Sequence, residues 1–60
     1  MDSNRVHVQK WLEENFQLEE FEIQEMPLVP GGVILKDKDN ESMLVYWDIL
    51  AQKIVYEFQG

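Results

Sequence analysis

The chain contains no cysteine, one histidine, and five basic residues against twelve acidic ones. The missing cysteine excludes disulfides and thiolate metal sites, and it suits a reducing compartment. The single histidine, His7, has no second ligand at metal-binding spacing. The shortage of bases leaves a net charge of −7, which repels nucleic acid and anionic membranes. No apolar run approaches the ~20 residues a membrane span needs. The opening MDSNRVHVQKW lacks the basic-then-apolar order of a signal peptide. These shortages predict a soluble, cytoplasmic protein with neither a membrane nor a nucleic acid as partner.

What remains is globular in composition: 45% hydrophobic and 12% aromatic. Residues 1–60 suffice for one small domain. A chain of this length buries only about 60% of its unfolded surface, so its stability is marginal and a partner often completes it.

The run Met43 to Phe58, MLVYWDILAQKIVYEF, reads as two strands joined by the turn Ile49-Leu50-Ala51-Gln52. Setting Trp47 opposite Ile54 places Asp48 opposite Lys53, an opposite-charge pair that fixes register. Met43, Val45, Trp47, Ile54, Tyr56 and Phe58 then share one face, and Leu44, Tyr46 and Val55 the other. Both faces carry apolar side chains, so both need cover.

Upstream, Asp2, Ser3 and Asn4 are good helix N-caps. Val8, Trp11, Leu12 and Phe16 form a helical stripe, with His7, Lys10, Glu13 and Glu14 opposite. Asn15 suits a left-handed helix end. Phe21 and Ile23 alternate with Glu20, Glu22 and Gln24, which predicts a strand over residues 20–26 with an acidic, edge-facing side. Two prolines and two glycines in Pro27-Leu28-Val29-Pro30-Gly31-Gly32 make a turn or short loop. Residues 33–37 form a further strand, and Lys38-Asp39-Asn40-Glu41 a polar turn. With Lys38 opposite Glu41, Leu35 meets Leu44 and Ile34 meets Val45. The predicted fold is α+β: one N-terminal helix packed on a small antiparallel meander sheet of three to four strands, in the order α-β-β-β-β. The helix covers the Trp47 face. Val33, Leu35, Leu44, Tyr46 and Val55 are left on the far face with nothing to cover them.

Chemistry-bearing patterns are weak. Asp37, Asp39, Glu41 and Asp48 resemble a calcium loop, but Ser42 stands where the loop needs glycine and the following positions belong to an apolar strand, so a hairpin turn explains them. Ser3 and Ser42 have no base beside them, and His7 reads as a helix-surface residue. The pairs Glu13/Glu14 and Glu19/Glu20 do not converge, because neighbouring side chains point apart on helices and strands alike. Gly31-Gly32 precedes neither a lysine nor a helix, which a phosphate loop requires. We therefore expect no enzyme, and no catalytic, cofactor or metal residue.

Two surfaces carry the functional expectation. The far sheet face, Val33, Leu35, Leu44, Tyr46 and Val55, predicts a homodimer, for which burial of about 500 to 800 Å² per subunit suffices. The alternative is an acidic inhibitor or nucleic-acid mimic. In that reading Glu13, Glu14, Glu19, Glu20, Glu22 and Glu25, a stretch with no base, meet a basic protein.

Overall fold

A computed structural model describes residues 3–58. The chain forms helix α1 (Ser3–Asn15), a 3₁₀ turn (Leu18–Glu20), and strands β1 (Glu22–Glu25), β2 (Val33–Lys36), β3 (Ser42–Asp48) and β4 (Lys53–Phe58). The strands make one antiparallel sheet in the order β1-β2-β3-β4, with α1 packed on one side. This is the α+β meander that the patterning predicts.

The helical stripe performs as its spacing requires. Val8 and Leu12 are fully buried, Trp11 and Phe16 flank them, and Val6, off the stripe, stays 46% exposed. Ser3 and Asn4 lie inside α1, and Asp2 lies outside the described residues. Asn15 does not take the left-handed conformation expected of it. It ends α1 with its side-chain amide donating to the Trp11 carbonyl at 2.8 Å, a contact within the last turn.

The first strand is shorter than expected, and the residues just before it curl. The Glu20 N–H donates to the Gln17 carbonyl and the Phe21 N–H to the Leu18 carbonyl. This brings Leu18 and Phe21 back onto the core, with the Phe21 ring edge-to-face against Phe16 at 5.6 Å. The turn thus partly covers two apolar side chains that an extended strand would carry past the end of the helix. The acidic strand β1 is a sheet edge, as its charge suggested.

The β3–β4 register is the expected one, with Trp47 opposite Ile54 and Asp48 opposite Lys53. Its turn is held by Asp48. One carboxylate oxygen accepts the N–H groups of Leu50 and Ala51, each at 3.0 Å, and its carbonyl accepts the Gln52 N–H at 2.7 Å. Gln52 closes the turn at φ 54°.

The β2–β3 register corrects the expectation by one residue. Val33 pairs with Val45, Ile34 with Leu44, and Leu35 with Met43. The turn explains the slip. Asp37, not Lys38, faces Glu41: the Asp37 N–H donates to the Glu41 carbonyl, and the Asp37 carboxylate accepts the N–H groups of Asp39 at 2.8 Å and Glu41 at 3.0 Å. Asn40 supplies the left-handed residue at φ 63° that a three-residue hairpin loop demands. Because side chains alternate, a one-residue slip turns the whole of β2 over. Val33 (0% exposed) and Leu35 (2%) therefore join Val8, Leu12, Met43 and Val45 in the core beneath α1, and Ile34 goes to the far face.

The 27–32 loop anchors the helix to the sheet. The Trp47 N–H donates to the Pro30 carbonyl at 3.0 Å, and the Met26 N–H to the Gly32 carbonyl at 2.9 Å. Gly31 is buried at φ 61°, so close to the Asn4 carbonyl that a Cβ there would lie 2.5 Å from its oxygen. Only glycine meets both demands.

The turn makes a direct prediction. Asn40→Val forces a β-branched residue into the left-handed region and should lower unfolding stability by about 1–2 kcal/mol. Asn40→Gly should leave it within about 0.5 kcal/mol. Urea denaturation of both variants reads this, and equal effects would mean that Asn40 does not set the turn.

Candidate interaction surfaces

The face of the sheet away from α1 is the first candidate. The register lays Gln24, Ile34, Leu44 and Glu57 in a row across all four strands, with Tyr46 and Val55 beside them. Ile34, Leu44, Tyr46 and Val55 are half-buried by their strand neighbours, and α1 packs on the opposite side of the sheet. Of the five residues assigned to this face from the sequence, Leu44, Tyr46 and Val55 are there. Val33 and Leu35 are not, because the register turns them into the core. Ile34 is the residue that sequence reasoning missed. The patch is thus an apolar centre framed by Glu22 and Lys36 at one end and by Asp48 and Lys53 at the other.

The second candidate is the acidic set. Glu13, Glu14, Glu19, Glu20, Glu22 and Glu25 are all exposed and fall on α1, the 3₁₀ turn and β1. Glu25 is set apart from the others: Arg5 approaches it at 3.8 Å, with side-chain exposures of 27% and 80%. Both line a shallow depression of about 450 Å³ between the 27–32 loop and the start of α1, where the two charges offset one another. The remaining five glutamates gather towards the other end of the molecule.

At that end the aromatic residues leave a cleft of about 230 Å³. Phe16, Phe21 and Phe58 line it with Leu35 and Met43, and Asp37, Glu41 and Ser42 complete its wall. Phe58 is the last residue of β4, on the helix side of the sheet but 80% exposed. The alternation that put Phe58 on the covered face was correct. Its exposure follows from where α1 sits over β3 and β4, which periodicity does not contain.

His7 is exposed, yet its ring stacks on Trp47 with centroids 4.1 Å apart and planes at 14°. Trp11 stacks on Tyr56 at 5.5 Å in the same manner. These contacts seal the helix–sheet seam, which is a packing role for His7. Asp37 and Asp48 each spend a carboxylate oxygen on backbone N–H groups of their own turns. Among the described residues, no three or more His, Cys, Asp or Glu side chains are grouped to hold a metal ion, and no helix is long and apolar enough to cross a membrane.

No family model, curated protein or solved structure matches the chain, so these surfaces are read from their own chemistry.

The exposed glutamates should be dispensable for folding. Glu19, Glu20 and Glu22 replaced together by glutamine should leave the melting temperature equal or slightly higher at low salt, because self-repulsion falls. The gap should close at high salt, where exposed charges are screened. A fall beyond about 4 °C, the scale of a 1 kcal/mol loss in a domain this size, would show that these carboxylates hold the fold.

Proposed function

We propose that this protein is a small, non-enzymatic protein-interaction domain that associates with a second copy of itself through the far sheet face. The observation that carries this reading is the Ile34, Leu44, Tyr46 and Val55 patch lying opposite the side that α1 occupies. A contiguous apolar sheet centre of this kind gains by being removed from water. A two-fold contact between identical faces is self-complementary, and dimers are the commonest closed assembly. The mixed charges framing the patch, Glu22, Lys36, Asp48 and Lys53, let a rotated copy meet opposite signs at both ends. Four strands about 4.8 Å apart, each rising about 3.3 Å per residue, offer a footprint of roughly 400 Å². That is below the ~800 Å² per partner of a standard interface and below the range expected from the sequence, which puts the contact among small, weak associations. On this reading the setting is the cytoplasm, where a cysteine-free chain loses nothing to the reducing environment.

A second reading is favoured by the charge distribution. Glu13, Glu14, Glu19, Glu20 and Glu22 are exposed and outnumber Lys36 and Lys38 beside them, so a net negative field remains. The partner suited to that field is a basic protein, and the mode of action is occupation of a surface that otherwise holds nucleic acid.

Sedimentation velocity across low to high micromolar concentration tests the first reading. The weight-average mass should rise from one chain towards two. Leu44→Lys places its new charge opposite Glu57 on β4, where it is tolerated in the monomer, and should hold the mass at one chain throughout. A one-chain mass for the unaltered protein at every concentration would overturn the proposal.

A further inference from the structure

The cleft at the acidic end has a composition that neither apolar packing nor solvation alone accounts for. Phe16 and Phe21 meet edge-to-face, with centroids 5.6 Å apart and planes at 80°, so together they form a corner. Phe58 closes the third side and leaves 80% of its surface in water. Met43 lies against the floor, and Asp37 and Glu41 stand in the wall, with one Asp37 oxygen taken by its own turn. A neighbouring depression, lined by Glu19, Glu20 and Glu22 together with Lys36 and Lys38, shares Phe21 and Asp37 with the cleft. The acidic surface therefore runs into an aromatic pocket.

We propose that this cleft receives the side chain of a lysine carried on a basic segment of a partner protein. The stem of a lysine is apolar and fits a floor of phenylalanine and methionine, while its ammonium is attracted both to ring faces within about 6 Å and to carboxylates at the rim. A purely apolar occupant would gain nothing from the negative charges of Asp37 and Glu41 in the wall. An anionic occupant would meet Asp37 and Glu41 in the wall, with Glu19, Glu20 and Glu22 beyond them only partly offset by Lys36 and Lys38. Charge and shape together thus select a cation with an apolar stem. The inference shares with the second reading above only the sign of the partner's charge. It adds the site, the side chain and the dependence on aromatic rings.

The test uses the full chain and two peptides that differ at one position. Both carry the same arginine-bearing, glycine- and serine-rich flanks, and the central residue is lysine in one and norleucine in the other. Amide chemical-shift changes are followed by NMR with the unaltered protein, Phe58→Leu and Glu41→Gln. Phe58 is largely exposed and ends its strand, so Phe58→Leu keeps the fold and an apolar wall while removing the ring. The lysine peptide should bind more tightly than the norleucine peptide, with shifts centred on Phe16, Phe21, Met43 and Phe58. Phe58→Leu should weaken the lysine peptide by about two- to fivefold, the effect of one exposed cation–π contact, and leave the norleucine peptide unchanged. Glu41→Gln should weaken the lysine peptide more at low salt than at high salt. Equal or tighter binding of norleucine would overturn the proposal in favour of a simple apolar groove. Salt-sensitive binding of both peptides, spread over the glutamates and indifferent to Phe58, would overturn the cleft while leaving the acidic reading standing. Binding of neither peptide would overturn both.

Discussion

The turn between β2 and β3 decides which side chains this small protein can bury. The Asp37 carboxylate gathers the N–H groups of Asp39 and Glu41, and Asn40 accepts a positive φ, so that three residues close the hairpin. That count fixes Val33 opposite Val45 and Leu35 opposite Met43, which places four apolar side chains under Val8 and Leu12 of α1. A two-residue closure would send Ile34 inward and expose Val33 and Leu35 on the far side. A domain of this size has few core residues, and each fully buried Val or Leu is worth about 1.5–3 kcal/mol, so the turn governs a large share of its stability.

Around that narrow core the protein relies on rings. His7 on Trp47, Trp11 on Tyr56, and Phe16 against both Trp11 and Phe21 line the seam between helix and sheet. Large flat side chains cover much area at a small entropic cost, which suits a single helix spanning several strands. Where α1 ends, the rings of Phe16 and Phe21 are half-buried and Phe58 is mostly in water. The acidic cleft is thus a by-product of one helix being too short to cover the end of its sheet, as the far face is a by-product of there being one helix.

Much of this was legible in the residues. The 3.6-residue spacing of Val8, Trp11, Leu12 and Phe16 located the helix and its buried side, and the Asp48–Lys53 pairing located the last hairpin. The β2 register was not legible from patterning, because Val33, Ile34 and Leu35 are all apolar and alternation gives no direction. The information lay in Asp37 and Asn40, whose turn preferences distinguish a three-residue loop from a shorter one. Residues 20 and 21 were misread for a related reason. A period of two in Phe21 and Ile23 suggested extension, while packing of Leu18 and Phe21 onto the core imposed a turn. Of the candidate surfaces, the glutamates were fully visible in the sequence. The far face was visible in three of its four apolar residues. The cleft was hidden, since it depends on where the helix stops relative to the strands.

The register of β2 is the point from which the core, the far face and the cleft all follow, and cross-strand nuclear Overhauser contacts read it without intermediaries. Contacts between Val33 and Val45 and between Leu35 and Met43, together with contacts from both β2 residues to Leu12, are the predicted result. Contacts joining Leu35 to Leu44 and Ile34 to Val45, with Ile34 touching the helix, would contradict the account and exchange the buried and exposed faces of the strand.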